Sequence, residues 1–217
     1  MYDVILFDLD GTLTDPAIGI IRSIQYALDK YKIVEDDLDK LRLFIGPPLI
    51  DSFRVHYSFD EREATRAVEY YRQYFSETGI YENLIFPGIP QLLEKLQKNN
   101  KKLFVATSKP TVFAQRIVDY FGISDFFECV VGSNLDGTRC IKAEVIEHVL
   151  AGLPDVAKDR VVMVGDREYD VIGARENSIA SIAVAYGYGT REELEKANPG
   201  NIADSVEQLG RMLGVEK

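Results

Sequence analysis

The chain has 217 residues, 46% of them hydrophobic and 11% aromatic, enough to bury a substantial core as one large domain or as a core with a smaller insert. A net charge of −10 argues against a nucleic-acid polymer as the main partner, so an anionic substrate would need a local positive site. Cys129 and Cys140 form neither a disulfide framework nor metal-ligand spacing and are read as small half-buried residues in a reducing compartment.

YDVILF (Tyr2–Phe7) is a short apolar run rich in β-formers, stopped by Asp8 and Gly11, and reads as a strand buried on both faces. From about Pro16 to Gly79 no strand pattern follows. Amphipathic runs such as IGIIRSIQYALDKY (Ile18–Tyr31) and EREATRAVEYYRQYF (Glu61–Phe75) predict about four inserted helices there. TDP (Thr14–Pro16) and the stretch around Gly79–Asn83 read as the two connections. The expected organisation is a core of residues 1–15 and 81–217 with a helical insert over 16–80.

Beyond the insert, apolar runs recur at KLFVAT (Lys102–Thr107), FECVVG (Phe127–Gly132), RVVMVG (Arg160–Gly165) and SIAVAY (Ser181–Tyr186). Helical patterns at Ile89–Asn99, Val112–Gly122, Lys142–Leu153 and Asp170–Asn177 alternate with them. That alternation predicts an α/β fold, a doubly wound, mostly parallel sheet whose sites gather where the strands end. No stretch is long and apolar enough to span a membrane, and MYDVILFDLD lacks the pattern of a signal peptide, so a cytoplasmic protein without a membrane partner is expected.

The tetrapeptide LDGT occurs twice, in DLDGTLTD (Asp8–Asp15) and in SNLDGTRC (Ser133–Cys140). Two residues before the shared aspartate stands Asp8 in the first copy and Asn134 in the second. A carboxylate can attack phosphorus or bind a hard cation, and a neutral amide does neither well. Asp8 and Asp10, two apart at a strand end, point to one side, which suits phosphoryl transfer with one carboxylate as nucleophile and the other as acid and base. Gly11 allows a sharp turn whose N–H groups could face an anion. VMVGDREYD (Val162–Asp170) sets Asp166 past another strand and Asp170 at a helix start, oxygen ligands of the kind Mg2+ takes, though Asp170 also reads as a helix cap. Lys142 is the leading cation against so many carboxylates. VATSKP (Val105–Pro110) adds Thr107 and Ser108, read as phosphate-binding hydroxyls or as a simple turn before Pro110, and Lys109, read equally as a second cation or as an exposed lysine. His56 and His148 have no ligand partner at useful spacing and read as ordinary helix residues.

DLDGT, VATSK, Lys142 and GDREYD, in that order and each after a strand, resemble the haloacid-dehalogenase-like phosphatases, closest to the phosphoglycolate-phosphatase-like branch. The resemblance implies Asp8 as nucleophile and Mg2+ ligand, and Asp10 as acid/base with its carbonyl on the metal. It implies Thr107 on phosphate, Lys142 steadying the nucleophile, and Asp166 with Asp170 at the metal. It implies a mobile cap in the insert, with RLFIGPPL (Arg42–Leu49), and Gly46 in it, facing substrate. It also sets the Asp8 and Asp166 strands side by side and likens AYGYGTREEL (Ala185–Leu194) to the tail of the branch. KAEVI (Lys142–Ile146) departs from the branch's usual Pro-x-Pro after the lysine, and GSNLDGTRC precedes that lysine in only part of the family. The substrate is therefore expected to be a small phosphate ester, with a 5′-nucleotide or, as a transferase rival, sugar phosphomutation as alternatives. The second LDGT is expected to be a plain Asp-Gly turn that delivers Lys142. A monomer or weak homodimer is expected.

Overall fold

The computed structural model describes residues 2–216, which divide into two compact units, residues 2–15 with 85–216 and Pro16–Leu84. The first unit opens with β1 (Val4–Phe7), followed by the two-residue β2 (Thr14–Asp15). The second unit carries α1 (Ala17–Asp29), α2 (Leu38–Arg42), α3 (Leu49–Tyr57) and α4 (Glu61–Glu77). The chain returns through β3 (Leu84–Ile85) to α5 (Ile89–Lys98), β4 (Lys102–Pro110) and α6 (Thr111–Tyr120). Next come β5 (Cys129–Ser133), α7 (Lys142–Ala151), β6 (Val161–Gly165) and α8 (Glu168–Glu176). β7 (Ala180–Val184), α9 (Arg191–Ala197), β8 (Asn201–Ala203) and α10 (Val206–Met212) complete the order.

The main sheet runs β5-β4-β1-β6-β7-β8, and every pairing in it is parallel. β1 lies at its centre, with Phe7 beside Val105 of β4 on one flank and Val164 of β6 on the other. All four residues of β1 are buried, as a strand covered on both faces must be. On one face Val4, Leu6, Phe104, Ala106, Val161 and Met163 meet Val145, Ile146 and Val149 of α7 and Ala174 of α8. Because β1 is flanked by strands that follow it much later in the chain, its C-terminal end is the crevice where such sheets hold ligands.

β4 runs on past Thr107 to Pro110, with a register irregularity between Ala106 and Pro110, so the TSK stretch leaves the regular ladder. β8, α9 and α10 were not expected from the sequence pattern, nor was the short pair β2 and β3. The inserted unit ends at Leu84 rather than at 80, because Gly79–Tyr81 is a 3-10 turn packed on α1. Cys129 is exposed rather than half-buried, while Cys140 is half-buried, and both are free thiols. Among the described residues no helix is long and apolar enough to cross a membrane.

Within the inserted unit α4 starts with a capping box. Asp60 accepts from the Glu63 N–H at 2.8 Å, and Glu63 accepts from the Asp60 N–H at 3.0 Å. Phe53 of α3 packs edge-on against Phe44 at 5.1 Å and stacks on Phe59 at 5.9 Å between centroids. His56 lies against Phe44 at 5.4 Å, an ordinary packing position.

Candidate active site

Asp8 immediately follows β1, and its N–H donates to the Val164 carbonyl of β6 at 2.8 Å, so the ladder carries it one residue beyond the strand. Its Oδ1 accepts from the Leu9 N–H at 2.8 Å and lies 2.9 Å from the Lys142 ammonium. The turn that follows closes on itself: Gly11 N–H donates to Thr14, and the N–H groups of Thr12, Leu13 and Thr14 donate to the Leu9 carbonyl. Those groups are therefore not free to face an anion, contrary to the sequence expectation for this turn. Gly11 has φ +81°, and a Cβ there would stand 2.1 Å from Asp166 Oδ2, so glycine is required both by conformation and by space.

Lys142 is the first residue of α7, where the helix dipole disfavours a cation. It stays there because its ammonium has acceptors on three sides: Asp8 Oδ1 at 2.9 Å, Asp170 Oδ1 at 2.8 Å and the Ala106 carbonyl at 3.1 Å. Burial favours the neutral amine, but Asp170 and Asp8 outweigh it, and the lysine pKa ends above its ordinary value. Asp170 is the third residue of α8. Its Oδ2 accepts from the Arg167 N–H at 3.1 Å, so Asp170 caps the helix from its third position, with Arg167 as the N-cap, while Oδ1 faces Lys142.

Asp166, fully buried just past β6, accepts from the Tyr188 N–H at 2.7 Å through Oδ2, while its Oδ1 is buried with no hydrogen-bond partner. Burial, then the charges of Asp8 and Asp170, push its carboxyl well above the usual range. Asp170 is raised too, by burial first, against the pull of Lys142. Asp8, Asp166 and Asp170 each offer a carboxylate oxygen, all within 4.8 Å of one another. The Lys142 ammonium pairs with two of these three carboxylates, and Oδ1 of the third, Asp166, is left without a hydrogen-bond partner. A hard divalent cation fits that donor set.

Asp10 is largely buried, and its Oδ2 takes the Lys109 ammonium in an ion pair, while Oδ1 is left without a partner. Burial raises its carboxyl, although Lys109 pulls the other way. Lys109 is thus engaged with Asp10 rather than lying exposed on the surface. Thr107 is buried and its Oγ1 accepts from the Lys109 N–H at 3.3 Å. The Ser108 carbonyl accepts from the Ser133 hydroxyl at 2.8 Å, tying the TSK stretch to the end of β5. Gly46 belongs to the other unit, on the segment between α2 and α3, with φ +109°.

In the second LDGT, Asp136 Oδ1 accepts from the N–H and the hydroxyl of Thr138 at 2.9 and 2.7 Å, and the Gly137 N–H donates back to Asn134. It is an exposed turn. Sequence reasoning assigned no role to Gly187, Tyr188 and Gly189, although they close on Asp166. The available signal was a Gly-Tyr-Gly run just beyond a buried strand, at the C-terminal end of the sheet where sites form.

A sequence model of the Haloacid dehalogenase-like hydrolase family matches residues 5–184. The chain is 47% identical over 212 residues to a 5′-nucleotidase of Pseudomonas aeruginosa, covering 98% of this chain and 96% of the relative. It is 37% identical over 214 residues to the tyrosine-protein kinase PtkA of Mycobacterium tuberculosis, covering 98% of this chain and 72% of the kinase. A solved structure named as a predicted phosphatase from Clostridium acetobutylicum superposes with a TM-score of 0.94 at 46% identity, covering 98% of both chains. With its parallel sheet and its match over most of its length, this chain belongs to the haloacid dehalogenase-like hydrolases and is a phosphoric monoester hydrolase.

Proposed function

We propose that the protein is a Mg2+-dependent phosphatase that hydrolyses small phosphomonoesters through an aspartyl phosphate on Asp8. The observation that carries this reading is the joint placement of Asp8, Lys142, Asp166 and Asp170 at the ends of neighbouring elements, with one cation among three carboxylates. Asp8, Asp166 and Asp170 would hold the metal, with the Asp10 carbonyl as a further ligand. When bound, the metal offsets the negative charge of the carboxylates and of the phosphate.

In the first step an oxygen of Asp8 attacks phosphorus, a bond forms to the carboxylate, and the bond to the leaving oxygen breaks. Both interactions named for Asp8 fall on Oδ1, so Oδ2 is assigned as the attacking oxygen. Asp10 gives its proton to the leaving alkoxide through Oδ1, the oxygen not held by Lys109. In the second step Asp10 takes a proton from water, which attacks phosphorus and releases inorganic phosphate and free Asp8. Lys142 orients Asp8 and lowers the charge met by the incoming phosphate. Thr107, Ser108 and Lys109 stand at the third strand end as phosphate-side groups.

The similarity to a 5′-nucleotidase supports nucleoside 5′-monophosphates as the first substrate class to test, ahead of phosphoglycolate. Phosphate release is to be measured over nucleotides, phosphoglycolate and sugar phosphates, with product analysis to detect phosphoryl transfer to a sugar. Hydrolysis should stop on chelation, return with Mg2+ and return poorly with Ca2+, which favours a looser shell. Asp8→Asn should abolish turnover. Full activity after chelation and dialysis, or Asp8→Asn activity within about tenfold of wild type, a loss near 1.4 kcal/mol, would sink the reading.

A further inference from the structure

Gly187, Tyr188 and Gly189 follow β7 and supply none of the acids, bases or cations above, yet they enclose one carboxylate. The Tyr188 N–H donates to Asp166 Oδ2 at 2.7 Å. A Cβ on Gly187 would lie 2.4 Å from the Asp166 Cβ and 2.3 Å from the Gly11 carbonyl oxygen, and one on Gly189 would lie 2.0 Å from the Asp166 carbonyl oxygen. The segment therefore approaches Asp166 more closely than any larger residue permits. The Tyr188 ring presses on Gly11 from the same direction, its Cδ2 2.8 Å from where a Cβ would stand. Its phenol donates to Asp15 Oδ1, in the short strand β2 at the end of the first part of the core.

We propose that Tyr188 is a positioning residue for Asp166, its phenol–Asp15 bond pinning the segment so that the backbone N–H holds Oδ2 and leaves Oδ1 for a divalent cation. This inference rests on the Mg2+ reading above. A carboxylate with one oxygen already fixed loses less rotational freedom on binding a metal than a free one, and outer groups of this kind tune affinity without touching the ion. Tyr188 acts on the metal ligand only, so its effect should appear in cation affinity rather than in recognition of the phosphoester.

The test is calorimetric titration of the full chain with MgCl2 and no phosphoester present, on wild type, Tyr188→Phe, Asp15→Ala, Asp15→Asn and the double variant Tyr188→Phe/Asp15→Ala. Tyr188→Phe and Asp15→Ala should each weaken Mg2+ binding by about tenfold, the low end for lost outer-sphere partners. Asp15→Asn keeps an acceptor for the phenol and should restore most of the affinity. The double variant should bind no more weakly than the weaker single one, because both remove one bond. In turnover, the Mg2+ concentration for half-activity should rise by the same factor, with the phosphoester KM at saturating Mg2+ little changed. If Tyr188→Phe binds Mg2+ within about twofold of wild type, or the two losses multiply, the positioning role is overturned while the metal reading stands. Absence of Mg2+ binding by wild type would overturn both.

Discussion

Asp10 and Asp136 share one tetrapeptide, and their surroundings separate them completely. Asp10 is enclosed beside Asp8 and paired with Lys109, its carboxyl raised by burial. Asp136 is exposed, and the N–H and hydroxyl of Thr138 hold its carboxyl below the ordinary value. If Asp10 is the acid and base, Asp10→Ala should lower turnover by about 10²–10⁴, the range of general acid–base catalysis. The loss should be smaller on aryl than on alkyl phosphates, because an aryl oxide needs less protonation to leave. It should not vanish, since water must still be activated. Asp136→Ala should cost modestly and equally on both substrates. Turnover of the two variants on an alkyl and an aryl phosphate decides it, and a steeper leaving-group dependence for Asp136→Ala would reverse the assignment.

At the scale of elements, parallel β1 between β4 and β6 brings the ends of three strands together, while α7 and α8 present Lys142 and Asp170 at their first turns. The irregular end of β4 takes Thr107, Ser108 and Lys109 off the ladder, which lets Lys109 reach Asp10. In the inserted unit α3 is held chiefly by aromatic packing, with fully buried Phe53 between Phe44 and Phe59. Phe53→Ala should therefore cost about 3–5 kcal/mol, the usual loss for a buried aromatic. Hydrogen exchange should show α3 and α4 losing protection while β1, β4 and β6 keep theirs. Equal loss in the sheet would mean that the two units unfold as one.

For the whole molecule, the cluster of buried carboxylates is a source of instability, which the proposed metal would relieve. Asp166 has its carboxyl raised in the folded chain by burial and by Asp8 and Asp170, so the folded state favours the protonated form. That contribution to stability is fully present below the ordinary carboxyl pKa and is lost as pH rises through the raised value. Asp166→Asn removes the titration. In metal-free protein the variant should melt higher than wild type, with a gain that grows from pH 5 to pH 8. A difference of about 1 kcal/mol corresponds to roughly 2–4 °C in a chain of this size. Added Mg2+ should reverse the order, since only wild type gains by binding it. A variant that melts lower than wild type at both pH values in metal-free buffer would show that the carboxylate is compensated in some other way.

The parallel sheet was legible in the chain because strands buried on both faces read as unbroken apolar runs, and VILF, KLFVAT and VVMVG are such runs. Asp8 and Asp166 follow two of those runs directly and Thr107 closes the third, so parallel strands put all three toward one end of the sheet. The short β8 and the helices α9 and α10 were not legible, since three to seven residues carry too little periodicity to stand out. Bounds of the inserted unit slipped by four residues because Gly79 looks like a linker in sequence and packs as a turn against α1 in space. Sequence spacing offered Lys109 as a cation and could not show that Asp10 already holds it. Nor could it show that Tyr188 closes on Asp166 from 22 residues away and on Asp15 from 173 away. Periodicity and local chemistry act within a few residues and so can be read along the chain. Ion pairs and backbone bonds between strand ends exist only once the sheet has brought distant segments together, and that the tertiary structure alone decided.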